Sequence, residues 1–452
     1  MLKKQMWMRY APDLLTEWRQ LDEEGKDVAH YKELCEQITK LSQKENCETL
    51  ALEVAKLMAQ APTRADYPYK EPSDFDTIML HTDPEPTVDW HMIITDDELR
   101  DKIAGAWIGR ISGCLLGKPM ECLKSDVIHT ILQASDNYPM ERYVDSREFP
   151  AELHEQVDME HFTSWQKCWI DRIGNKAPVD DDTNYTVLGM KIIDEYGVAF
   201  TPDDVLEAWL YAMPMFSACT AERVAYRNAA RGLCAPDTAN HSNPYREWIG
   251  AQIRGDFYGY ISPGNPSRAA EMAWRDASVS HSKNGIYGEM YVASMIAYAA
   301  VSHNMEQVVA CGLKAVPEHS RLANGVHSVL AMYRQGISER QVFGYIHEKF
   351  DEYDQHDWCH VISNAMVVTA CLLYSANDFG KGICMAVQTG FDTDCNAATV
   401  GSILGMMLGE RMIPKCWPNG FGRTLRTSIN GYTLVTVDQL VDKTMELIHR
   451  GW

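Results

Sequence analysis

Five aspartates fall in two short acidic runs built on the same plan. Asp180-Asp181-Asp182-Thr183 precedes an apolar helical pattern through Val187, Leu188, Met190, Ile192 and Ile193 that stops near Gly197. Gly390-Phe391-Asp392-Thr393-Asp394-Cys395-Asn396 precedes another, through Ala397, Ala398, Val400, Ile403, Leu404 and Met407. One carboxylate at a helix start is ordinary, because it accepts from free N–H groups and meets the positive end of the macrodipole. Adjacent like charges repel, so further carboxylates call for another reason. Carboxylate and hydroxyl oxygens are hard donors, suited to Mg2+ or Mn2+ rather than zinc. Facing each other, the two runs could hold a metal pair roughly 3.5–4 Å apart, clamping an attacking water and a substrate oxygen. They lie far apart in the chain, and spacing alone does not show that they meet.

Two glycine stripes supply a means of meeting. Gly105, Gly109, Gly113 and Gly117 recur at every fourth residue, and Gly401, Gly405 and Gly409 do so after the second acidic run. Each glycine inside a helix costs roughly 0.8–1 kcal/mol relative to alanine. Close helix packing without any catalytic purpose would explain the stripes. A sharper reading is that the two backbones cross at the centre of the core and gather Glu121, Asp392 and Asp394 around one cavity.

The elements that must position these groups are helical. Apolar residues recur with helical spacing over 203–212, 267–279, 287–301, 305–315, 326–335, 338–350, 360–374 and 437–449. Alternating strand patterns are scarce, and no βαβ unit with a glycine fingerprint occurs. The expected fold is all-α, an irregular or orthogonal bundle. Residues 10–61 read as amphipathic helices. The stretch from Ala61 to Trp90, with Pro62, Pro68, Pro72, Pro84 and Pro86, reads as an extended linker or strap. Thr95 and Glu98 form a capping-box signature that opens a new unit. The expected division is therefore 1–90, an N-terminal helical extension with its linker, and 91–452, the catalytic domain.

The 452 residues carry 42 Lys+Arg against 63 Asp+Glu, a net charge of −21. That surplus repels phosphate backbones and anionic lipid heads, so neither general nucleic-acid binding nor a membrane partner is expected. The longest apolar runs, Met290–Val301 and Ala365–Ala376, fall well short of the ~20 residues that span a bilayer. No apolar stretch follows the basic start, and the 13 cysteines contain no C-x-x-C. Reduced thiols in a cytoplasmic protein are the expectation.

At its motifs the sequence resembles the ADP-ribosylglycohydrolase family, which includes the dinitrogenase reductase-activating glycohydrolase and the ADP-ribosyl-acceptor hydrolases. The family's G-x-x-x-G-x-x-x-G-D-x-L-G-x-P-x-E is similar to Gly105–Glu121. Its T-D-D-T is similar to Asp180–Thr183, its G-x-D-T-D-[TC] to Gly390–Cys395, and its D-A-x-x-[ST]-H to Asp276–His281. The resemblance implies an all-α fold with a dinuclear Mg2+ or Mn2+ centre in a cleft. Asp181, Asp182, Asp392 and Asp394 would be ligands, joined by Asp180, a hard oxygen donor standing where the family often has a ligating threonine. Cys395 replaces another threonine and Cys114 replaces the family aspartate. A thiol is a poor donor for magnesium, so either Asn396 supplies an amide oxygen or one metal has fewer protein ligands.

The activity implied is hydrolysis of a ribosyl C1–N or C1–O bond through an oxocarbenium-like transition state. The first choice of substrate is an ADP-ribosylated acceptor. A small riboside or nucleoside is the alternative, and a non-catalytic ligand-binding or structural member of the same fold is a second. Asp181 and Asp394 are the base candidates. Glu121 is placed near the ribose as acid/base, gate or metal contact, although a solvated helix end would look the same. His281 could bond a phosphate or sugar, and Asn284-Gly285-Ile286-Tyr287 reads as a turn able to offer N–H groups or an aromatic ring. Asn396 joins them as a substrate contact. His356 and His360 have i, i+4 spacing but too few companions for a zinc site. The N-terminal helices could cover the cleft, recognise the acceptor or form a homo-oligomer interface.

Overall fold

Thr95 accepts from the Glu98 N–H while Glu98 reaches back to the Thr95 N–H, and this capping box opens the helix Asp96–Gly117. From Leu99 onward nearly every residue of that helix is buried, so it runs through the middle of the molecule. In the computed structural model, which describes residues 6–150, 153 and 168–451, the second glycine helix, Thr393–Leu408, lies directly against it. Gly105 abuts Gly405, Gly109 abuts Gly401, Gly113 abuts Ala397 and Gly117 abuts Thr393 and Asp394. The pairing runs in opposite order along the two chains, so the helices are antiparallel. That arrangement brings the end of one helix, Gly117–Glu121, to the start of the other, Asp392–Asp394.

Around this pair the described residues form an all-α structure, with helices at Pro202–Ala212, Pro266–Ala277, Asn284–Ala299, Met305–Lys314, Arg321–Arg334, Glu339–Lys349, Val361–Tyr374 and Val437–His449. The helical periods in the sequence match these to within a few residues. An antiparallel ribbon, Thr424–Arg426 with Leu434–Thr436, is the one sheet among the described residues. Among the described residues, no helix is long and apolar enough to cross a membrane.

The N-terminal helices Leu14–Glu23, Lys32–Ser42 and Glu48–Ala59 enclose their own apolar core, including Leu14, Leu21, Val28, Ile38, Val54 and Met58. They meet the rest of the chain through charge. Arg246 pairs with Glu17 at 2.9 Å and Glu24 at 2.7 Å, and Arg19 pairs with Asp357 at 2.6 Å. The proline-bearing stretch that follows is a strap. Its backbone bonds across the body, from Lys70 N–H to the His319 carbonyl and from Val88 N–H to the Gly264 carbonyl.

Candidate active site

Each acidic run starts a helix. Asp180 caps Asp181–Tyr196 by accepting from the Asp182 N–H at 2.9 Å. Asp392 precedes Thr393 without a side-chain capping bond, which leaves its carboxylate for other work. Gly390 and Phe391 both hold positive φ, +78° and +57°. That conformation is costly for a fully buried phenylalanine, and it turns the chain sharply into Asp392. Both helix N-termini face the carboxylates, and their dipoles favour negative charge there.

The two runs meet through shared neighbours. The Lys118 ammonium lies 2.7 Å from Asp180, 3.1 Å from Asp394 and 2.6 Å from Glu121. Asp182, Asp394 and Cys395 converge, as do Asp180, Asp182 and Cys114, with ligand atoms in each group within 4.8 Å of one another. Lys118 therefore draws Glu121 and Asp394 together where the two glycine helices meet, with Asp392 at the start of the second helix. Asp181 and Glu121 are only partly buried, so they mark the open side of the cluster.

Beneath it sits Arg110, fully buried in the first glycine helix. Its guanidinium holds Asp182 at 2.7 Å, bonds Thr186, Thr399 and the Ile253 carbonyl, and lies 3.5 Å from Asp256. Asn364 buttresses the second run: its side-chain oxygen accepts from Asp392 N–H at 3.2 Å and from the Asn396 amide at 2.7 Å.

Crowding of buried carboxylates sets the electrostatics. Burial and then the neighbouring carboxylates push Asp181 and Asp392 well above the ordinary range. Asp182 rises too, since burial outweighs Arg110. Glu121 is pushed up to about 7 by burial and Asp394, with Lys118 opposing. For Asp180 burial also acts upward, but Lys118 prevails and the carboxyl sits below its usual value. A set of carboxylates that resists ionising together is a set that invites a cation. The open donors agree. Asp182 Oδ2, Asp392 Oδ1, Asp394 Oδ1 and the Asn396 Oδ1 are buried without a hydrogen-bond partner. Unpartnered oxygens on Asp182 and Asp394, which converge, with those of Asp392 and Asn396 on the same helix start, suit a hard divalent ion.

A family model described as ADP-ribosylglycohydrolase matches residues 95–448. The chain belongs to the ADP-ribosylglycohydrolase family. Membership supports a glycosidase-type hydrolase. A solved structure described as an ADP-ribosylglycohydrolase-related protein complex is 17% identical, with 79% of this chain and 100% of that chain covered and a TM-score of 0.47. No curated protein sequence matches.

Within this glycohydrolase, the other expected substrate contacts pair with groups outside the acidic cluster. His281 is buried, with Nδ1 on the Ser280 hydroxyl at 2.8 Å and 4.0 Å from Glu222. Asn284 spends its amide on Glu71 and Glu247 and its oxygen on the Leu322 N–H. A Cβ on Gly285 would stand 2.4 Å from the Arg246 carbonyl, and the Tyr287 hydroxyl donates to the Pro72 carbonyl. Asn284, Gly285 and Tyr287 are thus engaged in contacts within the chain, whereas the buried Nε2 of His281 has no hydrogen-bond partner. The strap docks on this turn through Asn284 and Tyr287.

His356 and His360 acquire a third companion, Glu23, at 3.2 and 3.7 Å from their Nε2 atoms. A metal would need both Nε2 lone pairs. His356 Nδ1 accepts from the Trp248 indole N–H, and His360 Nδ1 accepts from the Ile362 backbone N–H. Each neutral ring therefore carries its proton on Nε2, directed toward the carboxylate. The trio clasps the N-terminal extension rather than coordinating an ion.

Lys118, Arg110 and Asn364 were not singled out by the sequence reading. Arg110 is the one charge in the middle of the buried glycine helix, and Asn364 stands in the apolar run 361–374. Lys118 lies inside the quoted motif, between Gly117 and Pro119, at a position the pattern leaves open.

Proposed function

We propose that the chain is a divalent-cation-dependent hydrolase that cleaves a ribosyl C1–N or C1–O bond and releases ADP-ribose from a modified acceptor. The observation that carries this reading is the buried set of unpartnered oxygens on Asp182, Asp392, Asp394 and Asn396. These residues would hold Mg2+ or Mn2+, and the ion when bound supplies charge stabilisation at sugar oxygens and lowers the pKa of water.

The chain's own groups do the rest. Asp181 stands at the open edge, where a carboxylate takes the proton of an attacking water. Glu121 faces the same opening, and its raised affinity for a proton suits it to receive or deliver one at the leaving group. Asp394, buried between Lys118 and the ion set, orients rather than travels, so the base role rests on Asp181. The concentration of negative charge favours an oxocarbenium-like ribose over its neutral ground state. Arg110 aims Asp182 from below and opposes its protonation, and Asn364 braces the Asp392 loop.

The test is a panel of ADP-ribosyl-arginine, ADP-ribosyl-serine and free nucleosides with the full-length protein and Mg2+ or Mn2+. Release of ADP-ribose from either conjugate is expected. Cleavage of nucleosides alone would move the reading to a small riboside, and cleavage of nothing by a metal-loaded protein would favour a ligand-binding member of the fold.

A further inference from the structure

The residues at the acidic cluster divide by what already touches them. On one side Asp180 has Oδ1 taken by the Asp182 N–H and Oδ2 beside the Lys118 ammonium. Glu121 Oε2 and Asp394 Oδ2 lie against the same ammonium. On the other side, Asp182 Oδ2, Asp392 Oδ1, Asp394 Oδ1 and Asn396 Oδ1 are buried and free. The oxygens thus form two groups that share Asp394, one already serving a cation and one not.

We infer that Lys118 is a resident cation of this site, filling the Asp180–Glu121 side, so that the protein takes one divalent ion where its family resemblance implies a pair. The root of the lysine supports this. Gly117 rests on the Asp394 backbone so closely that a Cβ would lie 2.5 Å from its N and Cα, and Pro119 stiffens the next position. Lys118 therefore cannot leave the cluster by moving its backbone. Its side chain is 10% exposed and pairs with three carboxylates, so turning outward would strip the ammonium of all of them. A second dication bound to Asp180 or to Asp394 Oδ2 would face the ammonium across a shared oxygen, where like charges repel strongly in a poorly screened site.

The inference rests on the cation-dependent reading, and metal counting separates the two. Full-length protein is dialysed against Mn2+, and bound manganese is measured by elemental analysis and by electron paramagnetic resonance. The wild type is expected to hold one ion per chain, with the signal of an isolated Mn2+. Lys118→Met is expected to hold two, with an exchange-coupled signal, and Lys118→Arg to stay at one. Two coupled ions in the wild type would overturn the inference by a measurement that needs no variant, while leaving a two-ion hydrolase intact. A folded Lys118→Met that still binds one ion would also overturn it. No manganese in either protein would overturn it together with the cation-dependent reading.

Discussion

Gly109 and Gly401 meet backbone to backbone: a Cβ on Gly109 would stand 1.9 Å from the Gly401 carbonyl oxygen. A carbonyl in a helix cannot yield as a flexible side chain can, so the two axes must part to admit one methyl group. We expect Gly109→Ala to cost at least the ~3 kcal/mol at the upper end of overpacking in ordinary cores. Gly344, in the helix Glu339–Lys349, meets nothing within 4 Å. Gly344→Ala should instead stabilise by about 0.5–1 kcal/mol. Urea unfolding of both variants checks the pair, and equal effects would remove the close crossing from the account.

Arg110 is a buried cation serving two buried carboxylates, Asp182 and Asp256. Replacing it with leucine leaves both without their charge partner. A loss of about 3–5 kcal/mol is expected, the scale of breaking one side of a buried pair. Adding Asp256→Asn should restore part of it, because one stranded charge is gone. Denaturant midpoints of the single and double variants measure the coupling, and strict additivity would contradict it.

Acid should loosen the join between the N-terminal extension and the body. His360 caps the helix Val361–Tyr374 by accepting at Nδ1 from Ile362, and burial lowers its pKa from 6.5 to about 3. Protonation would destroy the cap and place a positive charge at the positive end of a helix. Because the folded value is depressed, the stabilisation is whole above 6.5 and is lost as pH falls from there through about 3. His360→Asn keeps a capping oxygen without titrating in this window. Unfolding free energies measured across this range should fall less steeply for the variant, and parallel curves would exclude His360 as the cause.

Asn364 touches no oxygen offered to an ion, yet it fixes Asp392 and Asn396 at once. Asn364→Ala should weaken Mn2+ binding by roughly 10–100-fold, as loss of an outer-shell support does elsewhere. Titration calorimetry reads the change. Unaltered affinity in a folded variant would show that the loop holds its shape without this brace.

Local signals made much of this legible. The glycine stripes stood out because glycine at every fourth residue of a helix is costly unless backbones touch, although Gly409 proves to end its helix, and the acidic runs because one carboxylate suffices to cap a helix. Lys118 was hidden for a physical reason. A lysine after a helix normally reaches solvent, and only the antiparallel pairing of Gly117 with Asp394 turns this one inward. The turn at Asn284–Tyr287 shows the opposite case. Its local shape does suit a ligand, but the Glu71–Ser73 segment of the strap, remote in sequence, occupies that place.

On the proposed function, the cluster hydrolyses a ribosyl bond with the help of a divalent ion held by its free carboxylate oxygens. The most direct test is the rate of ADP-ribose release from an ADP-ribosylated peptide after chelation and after return of Mg2+ or Mn2+. The chelated wild type should be inactive and the reloaded protein active, while Asp392→Asn should remain slower by about 10²-fold or more on reloading, the scale of losing one preorganised charge. Full activity in the presence of chelator, or an Asp392→Asn variant as fast as the wild type, would contradict the account.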